Sequence, residues 1–147
     1  MQVLAVTSDD HDEVFSIWEN SVRATHDFLN EEDIRNLIPI VKETAIPNTD
    51  LYCVRNAEHV MGGFMGIAGD EVTMLFVSPE FFGQGIGTTL MNYAVHELKC
   101  TRVDVNEQNL NALNFYQKLG FKVVARSPLD GQGNPFPLLH MQYKISN

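Results

Sequence analysis

The sequence predicts an α/β protein: a single mixed, mostly antiparallel twisted sheet with helices on its faces. Three observations lead there. The 147 residues match the ~150 expected of one domain, a size at which roughly 68–70% of the extended surface is buried on folding. Apolar residues recur at helical spacing in some segments, and alternate or run continuously in short others. Those segments follow in the order strand–helix–helix, three strands joined by tight turns, then helix–strand–helix–strand–strand, which suits one sheet covered by helices. Residues 1–147 are therefore read as a single domain.

The elements can be justified in order. Residues 2–7 read as a strand, and Ser8, Asp9 and Asp10 begin a helix, with Asp10 and Glu13 at capping-box spacing. Val14, Ile17, Trp18, Ser21 and Val22 then mark one buried helical face. After a break near Thr25, His26 and Asp27, Asn30 can cap a second helix that carries Glu31, Glu32 and Asp33 in its first turn. Ile34, Leu37, Ile38 and Val41 supply its apolar side, and Pro39 should kink or shorten it. Residues 51–55 and 60–68 flank the turn formed by Asn56, Ala57, Glu58 and His59 as a hairpin. Gly69 and Asp70 make a second turn before a strand over 72–77, which Ser78 and Pro79 stop. A glycine-rich turn leads into a helix over about 87–98. A strand over 103–105, a helix over 112–119 ended by Gly120, and a strand over 121–125 follow. Residues 127–137 form a polar Gly/Pro-rich loop, and 138–144 close the sheet.

Composition narrows the function classes. The chain is 44% hydrophobic and 20% charged, ordinary for a globular protein. Ten Lys and Arg against 19 Asp and Glu give a net charge of −9. Nucleic-acid binding draws its affinity from cations that displace counterions, so no nucleic-acid partner is expected. The two cysteines, Cys53 and Cys100, form no CxxC pair, and the five histidines are scattered without ligand spacing, so no metal site is predicted. Isolated thiols of this kind fit a reducing compartment. Asp9 and Asp10 come too early for a secretory leader, and no apolar run nears the ~20 residues of a membrane span. The expectation is a cytoplasmic protein with no membrane partner. The sequence leaves its oligomeric state open.

The segment Met74–Thr88 joins a buried strand to a helix start through glycines. Glycine lets backbone N–H groups approach a ligand closely, and a helix N-terminus adds about half a positive charge. Together these suit a phosphate or pyrophosphate. A tight strand-to-helix turn alone would also explain Gly85-x-Gly87. No Gly-Lys-Ser/Thr follows, so the turn is not a P-loop, and it lacks the third glycine of a dinucleotide fingerprint.

A second segment, Asn109-x-x-Ala112-x-x-Phe115-Tyr116-x-x-x-Gly120-Phe121, follows at fixed order and separation. With the glycine turn, it resembles the two signatures of the GNAT superfamily of acetyl-CoA-dependent N-acetyltransferases. The order of elements extends the resemblance over nearly the whole chain. Residues 21–29, 105–109 and 135–139 are similar to those of small bacterial members.

The resemblance implies a GNAT acyl-CoA N-acyltransferase fold and acetyl-CoA as acyl donor. Leu75, Phe76 and Val77 would present strand backbone to the pantetheine arm. Gly83, Gln84, Gly85, Ile86, Gly87 and Thr88 would cradle the pyrophosphate, and Asn109 would bond the arm. Phe82 departs from the pattern, because the family usually carries Arg or Gln there; weaker cofactor binding is expected. Tyr116 would stand near the thioester sulfur.

That chemistry accounts for the residue types. Attack of an amine on a thioester expels a thiolate whose conjugate acid has pKa ~8.5, and a phenol of pKa ~10 stays protonated and can donate to it. Tyr116 also fits a core aromatic beside Leu113, Phe115 and Leu119. A lysine-like amine of pKa ~10.4 costs about 4.6 kcal/mol to deprotonate at pH 7, so a base is useful. Asp104 is the first candidate, since alternation places it and Asn106 opposite Val103 and Val105. In some family members that acetylate protein N-termini a glutamate base stands at the position of Asp104, whose shorter side chain would act through water. Glu107 is second, and Glu71, beside a turn, is third. Trp18 fits the core; His26, His140 and Tyr143 are candidates for the acceptor wall.

The predicted activity is transfer of an acetyl group from acetyl-CoA to a primary amine, on a small molecule or basic peptide, by direct attack in a ternary complex. A non-catalytic acyl-CoA sensor on the same fold would keep the glycine turn without needing Tyr116 or Asp104. A pure interaction domain would leave the glycine turn unexplained.

Overall fold

Seven strands form one sheet in the computed structural model, which describes residues 1–144. They are β1 (Val3–Ala5), β2 (Asp50–Arg55), β3 (Met61–Ala68), β4 (Glu71–Val77), β5 (Arg102–Asn106), β6 (Phe121–Ser127) and β7 (Leu138–Tyr143). The spatial order is β1-β2-β3-β4-β5-β7-β6. Every neighbouring pair is antiparallel except β4 and β5, which run parallel. A parallel pair needs a crossover, and helix α3 supplies it. The four helices are α1 (His11–Thr25), α2 (Glu31–Ile40), α3 (Ile86–His96) and α4 (Leu110–Leu119).

The sheet separates two cores. On one face α1 and α2 set Val14, Ile17, Trp18, Val22 and Ile34 against Leu51, Cys53 and Phe64. The helical stripe read in α1 is therefore the buried stripe, and Trp18 belongs to the core. On the other face α3 and α4 pack Leu90, Met91, Ala94 and Tyr116 over Met65, Val72, Val103, Val105 and Met141. Full burial of each large side chain contributes about 1.5–3 kcal/mol, so both faces are firmly held.

Two glycines bring α3 down onto the sheet. A Cβ on Gly62 would lie 2.6 Å from Cδ1 of Ile86, and one on Gly63 would lie 2.7 Å from its Cγ2. Side chains there would lift the first turn of α3 away from β3. Their absence fixes the helix N-terminus beside the end of β4.

Several boundaries differ from the sequence reading. The first strand stops at Ala5, and Asp10 turns back to cap, accepting from the Thr7 N–H at 2.9 Å and its hydroxyl at 3.1 Å. A 3-10 turn over Ser8–Asp10 precedes α1, so Glu13 is no cap; its carboxylate accepts from Met61 N–H at 3.1 Å and pairs with Arg55. Pro39 withdraws one rung from α2, which ends at Ile40 and widens into a π-turn over Val41–Ala45, with Ile46 N–H donating to Val41 O at 2.9 Å. Helix α3 ends earlier, at His96, α4 begins earlier, at Leu110, and β6 runs on to Ser127.

Candidate active site

The site begins with a bulge. Between Gly66 and Ile67 the β3–β4 register slips, so Thr73 is an extra residue on β4. Bulges bend the strand that carries them. On its other side β4 pairs with β5 only at Glu71–Arg102 and Val72–Val103, immediately before that bend. Beyond it the two strands diverge, and among the described residues the β5-facing backbone of β4 through Leu75, Phe76 and Val77 has no strand partner. This is the edge that an amide-bearing pantetheine arm could pair with, so the residues present fit the arm.

A cavity of about 120 Å³ opens in the gap. Met74, Phe76, His26 and Asp104 line it from the α1 side, and Leu75, Val105, Ala112 and Tyr116 from the α3–α4 side. The gap therefore passes through the sheet. It continues past Phe115 and Asn111 into a groove lined by Val77, Phe82, Gly83, Gly85, Gly87 and Thr88 at the N-terminus of α3.

Gly85 caps α3 in the left-handed conformation, φ +80°, which costs other residues about 1–2 kcal/mol. The exposed turn leaves the first N–H groups of the helix open, the arrangement that binds phosphates. Ile86 is buried under β3, so only its backbone can serve there. Gln84 does not line the groove. Phe82 does, with 45% of its surface exposed, offering a ring where the family offers a polar donor.

Asn106 and Asn109 make the turn from β5 into α4, with Asn109 N–H donating to Asn106 O at 2.9 Å. Asn109 caps α4, its Oδ1 accepting from Ala112 N–H at 3.2 Å, and the residue lines the cavity. Tyr116 lies on the same stripe as Ala112. Its ring meets Phe115 and Phe121 edge-on at 5.2 and 5.8 Å. Burial pushes its pKa well above the usual phenol value, so the hydroxyl keeps its proton.

Asp104 projects from the exposed side of β5, as alternation predicted, and lines the same cavity as Tyr116. Its Oδ1 accepts from His140 Nδ1 at 2.7 Å. Glu71 faces it from β4; burial first, then the charge of Asp104, push the Glu71 pKa above the ordinary carboxylate value. Sequence position beside a turn hid this neighbour, because only the β4–β5 register brings the two together. Glu107 pairs with Arg126 on β6, which holds its pKa low, and it does not line the cavity.

His26 closes the acceptor side. The Thr25 hydroxyl donates to Ser21 O at 2.8 Å, so it accepts from His26 Nδ1, also at 2.8 Å. That assigns the ring proton to Nδ1 and leaves Nε2 a bare acceptor. Burial lowers the His26 pKa, keeping the ring neutral. Tyr143 points to the opposite face, against Phe121 and Gly120. Cys53 and Cys100 are buried outside the cavity with thiol pKa values raised by burial, so neither is an accessible thiolate. Among the described residues no helix is long and apolar enough to cross a membrane.

Known proteins share this fold. Residues 47–123 match the acetyltransferase (GNAT) domain family. The peptidyl-lysine N-acetyltransferase YjaB of Escherichia coli K12 is 38% identical over 135 residues, covering 92% of this chain and 91% of that protein. The solution structure of apo-form YjaB from Escherichia coli superimposes with a TM-score of 0.90 at 35% identity, over 99% of this chain and 98% of that one. The PaiA N-acetyltransferase from Thermoplasma acidophilum, solved in complex with coenzyme A, shares the fold at 23% identity with a TM-score of 0.75, over 99% of this chain and 100% of that one. The chain therefore belongs to the GNAT family, and it is an N-acetyltransferase that takes its acetyl group from acetyl-CoA and delivers it to an amine.

Proposed function

We propose that the chain, acting as one cytoplasmic N-acetyltransferase domain, acetylates lysine side chains of proteins, with Asp104 drawing the proton from the incoming amine through water and Tyr116 returning one to the departing thiolate. The observation that carries this reading is that one cavity is lined by both residues, from opposite faces of the sheet. Acetyl-CoA supplies the activated acyl group. Leu75, Phe76 and Val77 hold the pantetheine arm by their unpaired backbone, Asn109 bonds it, and Gly83 to Thr88 hold the pyrophosphate with main-chain N–H groups. The lysine acceptor rests on the 38% identity to a peptidyl-lysine N-acetyltransferase. The cavity chemistry agrees with it, since the Asp104 carboxylate lines the acceptor side.

In the reaction the ammonium loses a proton toward Asp104 and the neutral nitrogen attacks the thioester carbon. The C–S bond then breaks, and the thiolate takes the Tyr116 proton. Tyr116 recovers its proton from solvent or from the amide nitrogen. The test is CoA release across a panel of acceptors: lysine peptides with blocked N-termini, free N-terminal peptides, polyamines and aminoglycosides. Lysine-dependent release that falls in Tyr116→Phe and Asp104→Asn is the expected result. Binding of acetyl-CoA with no release from any acceptor would favour the sensor function instead.

A further inference from the structure

Asp104 is not a solitary carboxylate. It stands directly opposite His140 across the β5–β7 ladder, and β7 in turn pairs with β6. His140 Nδ1 lies 2.7 Å from Asp104 Oδ1, and His140 Nε2 lies 2.6 Å from the Ser127 Oγ at the end of β6. A carboxylate only accepts, so Nδ1 carries the ring proton. In the neutral ring Nε2 then accepts from the Ser127 hydroxyl. Three strands thus contribute one hydrogen-bonded chain that ends at the reactive gap. The bulge on β6 between Val123 and Ala125 moves the strand's pairing one place along, setting Ala125 opposite His140 and Ser127 opposite Leu138. Neither bond is required by the sheet ladder, since both are side-chain contacts on the face that α1 and α2 leave uncovered.

We infer that His140 is the positioning residue for Asp104, fixing one carboxylate oxygen so that the other is presented to the acceptor's water in the β4–β5 gap, and that Ser127 fixes the His140 tautomer that makes this possible. The inference rests on the reading of Asp104 as base. A side chain of two rotatable bonds on an exposed strand face otherwise samples several rotamers, and the Glu71 carboxyl lies close enough to compete for it. The His140 N–H holds Oδ1 and selects the productive orientation. Such orientation by a hydrogen-bonded imidazole is a general device for a carboxylate that must act at one place.

The experiment compares Asp104→Asn, His140→Ala, His140→Asn, Ser127→Ala and the double variant Asp104→Asn/His140→Ala, with acetyl-CoA and a saturating lysine peptide. His140→Ala should lower kcat about tenfold while KM for acetyl-CoA and the melting temperature stay put. His140→Asn, whose amide can still donate to Asp104, should recover most of that loss, and Ser127→Ala should lose about threefold, on the order of a neutral hydrogen bond. In the double variant the His140 change should cost nothing further, because its effect runs through Asp104. Full activity of His140→Ala beside a depressed Asp104→Asn would overturn the positioning role alone. An equal His140 loss in the Asp104→Asn background would overturn it too. Full activity of Asp104→Asn would instead remove Asp104 as base, and the two failures are thereby distinct.

Discussion

Gly87 lies directly against the ring of Phe115: a Cβ placed on it would stand 3.3 Å from Phe115 Cζ. The contact joins the first turn of α3 to α4 and sets the width of the groove between the glycine turn and the Tyr116 cavity. Gly87→Val should push the ring into the groove. Overpacking of this kind costs about 1–3 kcal/mol of stability. The affinity for CoA, followed by titration calorimetry, should fall by more than that of Gly85→Ala, where the nearest atom is Met1 Cε at 3.9 Å and only backbone strain is added.

Tyr116→Phe removes a hydroxyl and no packing. The ring contacts with Phe115 and Phe121 survive, so the melting temperature and CoA affinity should hold. Loss of a general acid lowers turnover by roughly 10²-fold. Steady-state kinetics should show that loss in kcat at unchanged KM for acetyl-CoA. Equal turnover would take Tyr116 out of the chemistry.

Phe82 offers an exposed ring beside the glycine turn. Phe82→Arg should add a charged donor near the phosphates, and a charge-assisted hydrogen bond is worth about 1.5–3 kcal/mol before solvent screening. KM for acetyl-CoA should fall by about tenfold at low ionic strength, with the gain shrinking as salt is raised. An unchanged KM would place the phosphates elsewhere.

Glu71 yields a pH-dependent prediction. Burial and Asp104 raise its pKa in the folded chain, so folding favours the protonated form. The stability tied to that proton is complete below the ordinary glutamate pKa of ~4.3 and is lost as pH rises through the raised value. Glu71→Gln, neutral at every pH, should match the parent protein near pH 4 and exceed it near pH 7.5 in urea denaturation. A constant difference between the two pH values would contradict the burial of this carboxylate.

The elements were legible because periodicity reports burial. Val14, Ile17, Trp18, Ser21 and Val22 are all buried, as their spacing requires. Val103 and Val105 turn inward while Asp104 turns out. The glycine turn, Asn109 and Tyr116 were visible as local patterns, each set by the strand-to-helix turn or helix face that carries it. The Thr73 bulge was not, since an extra residue in a ladder leaves no mark until both strands are paired. Glu71 and His140 were named as candidates but not as neighbours of Asp104, for the same reason: their meeting with it depends on the register of β4 and β7 against β5. Glu13, read as the far end of a capping box, is instead held by distant partners, Met61 N–H and Arg55, which local spacing does not reveal.

The gap between β4 and β5 opens on both faces of the sheet, with Phe76 and Asp104 on one side and Leu75 and Tyr116 on the other. A catalyst with two doors has a characteristic kinetic order. With thiol product leaving by the entrance its parent thioester used and acetylated amine by the other, each product should compete only with its own precursor. Initial-velocity lines are expected to intersect rather than run parallel, as they do when an enzyme holds both partners together and never carries the acetyl group itself.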